Sequence, residues 1–286
     1  MKIILSADST CDLTEELRNK YQVSTMPYHI HLEGKDYIDN VDITPDVLYQ
    51  AYRERKALPK TAAVNTYEYV EYFKQWTAEG CAVIHFCLGS ALTSSYQNAR
   101  LAAEELENVY VIDSGNLSSA TGLQVMDCRG MIDDGKEPEE IYRYFTENRQ
   151  RYHASFVVDT LEFLRAGGRC SAVAAFGANL LNIKPSIEVD NTNGSMEVGK
   201  KYRGKLERVL AQYVKDKLAQ YQDIVTDKIF ITHSGIEDSC IETVSKTIEE
   251  TLPFEHIYVT VASCTISSHC GPGTLGILFA TEKNCK

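Results

Sequence analysis

Several signatures of enzyme chemistry are missing from this sequence. Its 286 residues contain no Walker A loop, no H-E-x-x-H or C-x-x-C pair and no G-x-S-x-G elbow. Nucleotide hydrolysis by a P-loop, zincin chemistry, a cysteine-based zinc site and an α/β-hydrolase nucleophile therefore lack support. We expect no resident metal and no cofactor.

Long hydrophobic runs and an excess of positive charge are also missing. No run approaches the roughly 20 apolar residues of a membrane span, and the apolar start at residues 1–5 turns polar at Ser6, too soon for a signal peptide. The formal net charge of −11 argues against binding to nucleic acid or to an anionic membrane. Nine cysteines without paired spacing favour a reducing compartment. We therefore predict a cytoplasmic protein with no nucleic-acid partner and no membrane insertion.

The pattern of apolar residues predicts a two-domain α/β protein. Short apolar runs alternate with amphipathic stretches at residues 3–7 and 13–20, 82–88 and 92–106, and 109–112 and 117–132, which is typical of a parallel sheet. The second half instead predicts a hairpin from 183–189 and 196–202, a helix from about 204 to 222, and strands at 228–232 and 256–263. We predict a parallel-sheet N-terminal domain of residues 1–150 and a mixed-sheet α/β C-terminal domain of residues 151–286.

Hydroxyl side chains follow several of the predicted strands, where open α/β sheets bind ligands. Asp8-Ser9-Thr10 comes after the first strand, and Thr61 and Thr66 precede a predicted helix. Thr66 and Ser114 are expected to be helix N-caps. The three consecutive hydroxyls of residues 93–95 instead predict a carboxylate site that also benefits from a helix dipole.

Two glycine turns carry an arginine and a histidine, which predicts a second group of anion-binding residues. One is Gly167-Gly168-Arg169, and the other is the loop from His269 to Gly276. The second loop formally matches G-x-G-x-x-G, but an apolar run of strand length follows it and leaves no room for a phosphate-binding helix. A Rossmann cofactor site is therefore rejected.

The remaining histidines and one basic cluster have competing interpretations. His233 precedes Ser234, but neighbours on a strand point to opposite faces, so a catalytic pair is not expected. The other histidines outside the glycine loop are expected to pack or to lie on the surface: His29, His31, His85, His153 and His256. The basic cluster consists of Lys200, Lys201, Arg203, Lys205 and Arg208, and is either a solvated helix start or a docking surface.

Six motifs in a fixed order carry a family resemblance across the whole chain. They are Asp8-Ser9-Thr10, Leu92 to Tyr96 with Asn98-Ala99, Val111 to Ser114, Leu161 to Arg169, Leu181 to Pro185, and His269-x-Gly271-Pro272-Gly273. Together they resemble the DegV family of bacterial fatty-acid-binding proteins, several of which act as the acyl-carrying subunit of a fatty acid kinase. The resemblance implies a long-chain fatty acid between the two domains and an ATP-dependent kinase subunit as partner.

The resemblance also implies particular site residues. The family's carboxylate-binding threonine, serine and histidine correspond to Thr61, Thr93 and His269, with Ser94, Gly271 and Gly273 in the same motifs. This chain departs from the family because threonine replaces the serine at 93, Ser94 replaces a glycine, and residues 61–65 keep only the threonine.

Arg169 matches the family's arginine, which is implicated in phosphotransfer with the kinase rather than in holding the lipid. The chain is therefore expected to catalyse nothing alone. Two alternatives remain open: an enzyme, either a small-molecule kinase subunit or a hydrolase, and a binding module for another anionic amphiphile. The apolar residues 172–181 are expected either to line an acyl tunnel or to form an ordinary helix core.

Overall fold

The computed structural model describes residues 1–174 and 183–284. The strands of these residues are β1 (Ile3–Asp8), β2 (Val23–Met26), β3 (His29–Leu32), β4 (Lys35–Ile38), β5 (Lys60–Ala62), β6 (Ala82–Cys87), β7 (Val109–Asp113), β8 (Tyr152–Val157), β9 (Ile183–Asp190), β10 (Ser195–Arg203), β11 (Lys228–Ser234), β12 (His256–Val261) and β13 (Thr274–Ala280). The helices are α1 (Glu15–Lys20), α2 (Pro45–Arg55), α3 (Thr66–Thr77), α4 (Ser95–Glu104), α5 (Ser118–Asp133), α6 (Pro138–Asn148), α7 (Glu162–Gly167), α8 (Ser171–Ala174), α9 (Leu206–Leu218), α10 (Asp238–Thr251) and α11 (Cys264–Cys270).

The N-terminal half forms the predicted parallel sheet, with strand order β2-β1-β6-β7. In the centre Leu5 is in register with Ile84, and every residue of β6 is buried. Helices cover both faces of such a sheet, which is why its central strands are continuous apolar runs rather than alternating ones.

The C-terminal half forms a mixed sheet with strand order β10-β9-β8-β13-β11-β12. Only the β11–β12 pair is parallel among the described strands of this sheet. The predicted hairpin is confirmed as β9 and β10, closed by a turn in which Gly194 adopts φ +90°. The predicted α/β fold class, with a parallel sheet followed by a mixed sheet, is therefore confirmed, whereas the division into domains of residues 1–150 and 151–286 remains a prediction.

A small antiparallel sheet, β4-β3-β5, was not predicted from the sequence. It begins shortly after β2 in the sequence and pairs Thr61 on β5 with Ile30 on β3. These strands are short and partly exposed, so their residues lack the buried apolar run that marks β1 or β6.

Two predicted helix caps are wrong. The helix α3 begins at Thr66 as expected, but Asn65 is its N-cap and forms a capping box with Glu68. Ser114 caps no helix, because α5 begins four residues later and the Ser114 hydroxyl donates to the Asn116 carbonyl 3.2 Å away.

The two halves touch closely where the hairpin turn meets the loop after β6. A Cβ built on Gly89 would lie 2.9 Å from the Cα of Gly194, so neither position has room for a side chain. The Ala91 N–H donates to the Asn193 carbonyl across this contact. Of the residues predicted to line an acyl tunnel, 175–181 lie outside the described ranges.

Candidate functional site

A cavity of about 250 Å³ lies between the parallel and the mixed sheet. Apolar side chains from both halves form much of its wall, including Leu88, Leu92, Leu117, Phe156, Leu164 and Met196. The cavity therefore combines an apolar wall with a few polar groups, which is typical of a small-molecule site.

The polar residues at this cavity come from segments far apart in the chain. Thr61, Thr93, Ser94, Arg169 and His269 all line it. The closest link joins His269 Nε2 to Thr61 Oγ1 at 2.9 Å, across 208 residues of sequence. The fold thus brings together the predicted hydroxyls, imidazole and guanidinium around one space.

The two glycines that were predicted as site residues do not share the position of the other predicted residues. Gly271 and Gly273 are not among the residues that line the cavity. Both have positive φ, +76° and +73°, and a Cβ at either would come within 2.7 Å of Phe163 or Asp159. Glycine at these positions therefore lets the loop after α11 pack closely against Phe163 and Asp159.

Two buried carboxylates hold the start of the helix that carries His269. Asp39 accepts hydrogen bonds from the Thr265 N–H and hydroxyl, and Asp12 accepts one from the Ser263 N–H at 2.9 Å. Burial raises the pKa of Asp12 to about 7 and also raises that of Asp39. The N-terminal half therefore fixes a helix of the C-terminal half beside the cavity. Sequence reasoning missed both residues, because isolated aspartates in loops carry no distinguishing pattern.

His269 is held as a neutral imidazole. Burial, together with a smaller contribution from the nearby Arg169 charge, lowers its pKa to about 4. Its Nδ1 atom is buried and has no hydrogen-bond partner among the described residues. A Cβ on Gly167 would overlap the ring, so glycine at 167 is required for the histidine to sit there. At neutral pH this side chain can therefore donate one N–H without carrying a charge.

Thr93 and Ser94 lie at the start of α4. The Thr93 hydroxyl donates to Ser95 Oγ at 3.1 Å and accepts the Ser95 N–H at 3.2 Å. Ser94 is the N-cap residue, and its side chain makes no capping hydrogen bond. The hydroxyls predicted to bind a carboxylate thus sit where the helix dipole favours negative charge.

Arg169 lies exposed at the edge of the cavity. Its Nη1 donates to the Gly167 carbonyl at 2.8 Å and its Nε to the Leu92 carbonyl at 3.3 Å. No carboxylate among residues 1–174 and 183–284 forms an ion pair with it. The guanidinium is therefore close to the end of α7, but no salt bridge to a described residue neutralises its charge.

His233 and Ser234 do not form a catalytic pair. The Ser234 hydroxyl bonds to Ser267 Oγ at 2.8 Å and to the Tyr49 hydroxyl. His233 Nδ1 has no partner within the described part of the chain. The arrangement offers no base for the serine, as alternation along β11 predicts.

Comparison with known proteins identifies the family. A family model described as "Uncharacterised protein, DegV family" matches residues 2–282. The chain belongs to the DegV family. A DegV domain-containing protein of Clostridium perfringens is 31% identical, and the match covers 97% of each chain. The resemblance carried by the six motifs is thereby confirmed.

Solved DegV structures share the whole fold. A Thermus thermophilus DegV protein, described as fatty acid binding, superposes with a TM-score of 0.88 at 29% identity, covering 98% of this chain and 100% of that one. A fatty acid binding DegV protein of Streptococcus agalactiae gives a TM-score of 0.83 at 26% identity, covering 99% of this chain and 100% of that one. DegV structures are thus described as fatty acid binding.

One buried group of this DegV chain resembles a metal site. Asp8, His85 and Cys87 place one potential ligand atom each within 4.8 Å of the others. His85 Nε2 is already bonded to Asp8 at 3.2 Å, and burial raises the pKa of the Cys87 thiol well above its usual value. Both carboxylate oxygens of Asp8 also accept other hydrogen bonds, so the contacts on the page describe a hydrogen-bonded network.

The helices of this DegV chain are of the length found in globular domains. Across residues 1–174 and 183–284, none is both long and apolar enough to span a bilayer.

Proposed function

We propose that this chain binds a long-chain fatty acid, with the tail in the apolar cavity and the carboxylate at its polar end. Thr61, Thr93 and His269 are the direct donors in this proposal, and Ser94 lies beside them. The observation that carries it is that residues from distant segments converge on one apolar cavity, with His269 Nε2 bonded to Thr61 Oγ1. The fatty acid binding described for DegV relatives supports the same ligand.

The division between an apolar wall and a small polar end suits such a ligand energetically. Burying an acyl chain contributes roughly 0.8 kcal/mol per CH₂, or on the order of 10 kcal/mol for sixteen carbons before ordering and desolvation costs. The head-group residues then have only to offset the desolvation of one carboxylate. Hydroxyls and a neutral imidazole can do so without a metal.

We further propose that the bound acid is presented to an ATP-dependent kinase subunit for acyl-phosphate formation, in the cytoplasm. In this scheme Arg169 acts toward the transferred phosphoryl group, and the chain has no catalytic activity alone. The exposed guanidinium at the cavity edge supports this division of roles, because it is accessible to a partner while the hydroxyls face the ligand.

Native mass spectrometry of protein purified from cells tests the ligand directly. We expect a retained mass equal to a long-chain fatty acid, lost after delipidation and regained on adding one. A retained neutral lipid or a different anionic amphiphile would contradict the proposal and support a broader binding module. Turnover of an ester or a small hydroxylated substrate by the isolated chain would instead support an enzyme.

The basic cluster of residues 200–208 is expected to steer the kinase. All five of its charged side chains are exposed, and Lys200 pairs with Asp216 at 2.6 Å. A local positive field on a chain of net charge −11 mainly accelerates association and makes it salt-dependent. Changing Lys200, Lys201 and Lys205 together to glutamine should slow complex formation at low ionic strength and leave acyl binding unchanged.

A control variant distinguishes the effect of the position of these charges from the effect of the total charge of the chain. Lys20, Lys74 and Lys246 are exposed lysines elsewhere, and changing them to glutamine alters the total charge equally. Association rates measured across a salt series should fall only for the cluster variant. Equal rates for the cluster variant and the parent protein would show that the cluster is a solvated strand and helix start.

A further inference from the structure

The small sheet β4-β3-β5 contacts the helix α11 at two points. Near the end of α11, Thr61 on β5 is bonded to His269 Nε2 at 2.9 Å. Near its start, Asp39, the residue directly after β4, accepts hydrogen bonds from the Thr265 N–H at 3.3 Å and from the Thr265 hydroxyl at 2.8 Å. One short sheet therefore contacts both ends of the helix that carries the imidazole.

The two contacts lie on the same face of the helix. Thr265 and His269 are four residues apart, so their side chains are neighbours one turn apart, and both line the cavity. A shift of the helix at Thr265 is therefore passed on to His269. The ring has little room for such a shift, because a Cβ on Gly167 would lie 2.2 Å from its Nδ1.

The start of α11 is held by side chains rather than by backbone. The first four N–H groups of a helix have no partner within it. Side-chain oxygens accept all four of them here: Asp12 from Ser263 at 2.9 Å, Asn40 from Cys264 at 3.3 Å, Asp39 from Thr265 at 3.3 Å, and Ser263 from Ile266 at 3.4 Å. Two of these four acceptors, Asp39 and Asn40, directly follow β4.

Asp39 is itself fixed in the fold. Its side chain is buried, its N–H donates to the Tyr28 carbonyl at 2.9 Å, and its Oδ2 also accepts from the Ser9 hydroxyl at 2.8 Å. Burying a carboxylate is costly unless donors surround it, and these donors do so. Asp39 therefore gives the start of α11 a fixed reference in the same small sheet that carries Thr61.

We propose that Asp39 is a positioning residue that aligns His269 with Thr61 for the fatty acid carboxylate, acting through Thr265 and one turn of α11. The inference rests on the proposed fatty acid function and assigns no ligand contact to Asp39 itself. Without Asp39, the buried N–H and hydroxyl of Thr265 lose their acceptor, and the start of α11 shifts to find another. The head group then loses the alignment of its donors, whereas the apolar wall of the cavity is unchanged.

A double-mutant cycle distinguishes positioning from general stability. The affinity for hexadecanoic acid is measured for Asp39→Ala in the parent protein and in a His269→Ala background. We expect Asp39→Ala to lower the affinity about tenfold in the parent protein, and less than about twofold where the imidazole is absent, because Asp39 acts through that side chain. Thermal unfolding confirms that each variant is folded.

The conservative variant Asp39→Asn should retain most of the affinity, within about threefold of the parent protein. Its remaining oxygen can accept the Thr265 N–H, and its amide can donate to the hydroxyls of Thr265 and Ser9, which are free to turn. If Asp39→Ala does not fold, Asn40→Gly tests the same step. It removes the acceptor of the Cys264 N–H, and the φ of +57° at residue 40 suits glycine. Its loss of affinity should likewise disappear in the His269→Ala background.

Asp127 provides a matched control, because it also joins the two halves of the chain. It accepts a hydrogen bond from the Tyr152 hydroxyl at 2.8 Å and pairs with Lys228 at 2.8 Å. These three residues are not among those that line the cavity. Asp127→Asn should therefore leave the affinity for hexadecanoic acid unchanged.

Several outcomes would overturn the inference. Unchanged affinity in folded Asp39→Ala removes Asp39 from head-group binding, and an equal loss in both backgrounds shows that its effect does not pass through His269. A fall in Asp39→Asn as large as that in Asp39→Ala would mean that the charge is required rather than the hydrogen bonds. An equal fall in Asp127→Asn would indicate general loosening between the halves. If the parent protein does not bind hexadecanoic acid, the proposed function itself fails, independently of Asp39.

Discussion

His269→Ala is expected to weaken the binding of a long-chain fatty acid roughly 10- to 100-fold without unfolding the protein. The substitution removes a neutral donor from a carboxylate that stays largely desolvated, and losing such a bond costs roughly 1.5–3 kcal/mol. It also removes the partner of the Thr61 hydroxyl. Because burial lowers the pKa of His269 to about 4, the loss should be the same at pH 6 and pH 8, where the imidazole is neutral.

Titration with a fluorescent fatty acid measures this effect. Thr93→Val, which keeps the shape of the side chain and removes its hydroxyl, should also weaken binding. His153→Ala is a suitable control, because His153 is a buried histidine with a lowered pKa that lies outside the cavity lining. Unchanged affinity in both His269→Ala and Thr93→Val would remove these residues from the site, and equal weakening in the control would indicate a general loss of structure.

The fold was predictable where a buried element appears in the sequence as a continuous run of apolar residues. The strands β1, β6 and β7 were predicted because each contains a short apolar run followed by an amphipathic stretch, and the hairpin of β9 and β10 because a polar turn with Gly194 lies between two apolar runs. The small sheet containing β3 and β5 was missed. Its strands are only three or four residues long and few of those residues are buried, so their pattern cannot be distinguished from that of a loop.

The site was predictable only in part, because its members are joined by tertiary contacts. Family motifs predicted Thr61, Thr93, Arg169 and His269, which the structure places around one cavity. Motifs could not show that Tyr28 also lines this cavity, since it belongs to none of them and its hydrogen bond to Asp8 joins residues 20 apart in the sequence. Ligand binding by Gly271 and Gly273 stays a prediction; neither lines the cavity, and both have a positive φ that favours glycine.

Arg169→Ala is expected to leave fatty acid affinity nearly unchanged while reducing phosphorylation by a cognate fatty acid kinase at least about 100-fold. The guanidinium is exposed and bonds to the carbonyls of Gly167 and Leu92, so the hydroxyls and His269 remain to hold the lipid. A planar, permanently charged fork suits the charge that develops on a transferring phosphoryl group. The measurement pairs lipid titration with transfer of labelled phosphate from ATP in the presence of the kinase.

The competing role for Arg169 is to cap α7, because its Nη1 donates to the carbonyl of the last residue of that helix. Arg165→Ala, which removes an exposed arginine one turn earlier on α7, provides the control for a general charge effect on this helix. Arg169→Lys should retain the favourable interaction with the helix dipole but lose most phosphorylation, since lysine lacks the bidentate geometry. If Arg169→Ala instead lowers the thermal unfolding temperature and phosphorylation stays normal, the arginine acts on the helix and the phosphoryl group needs another partner.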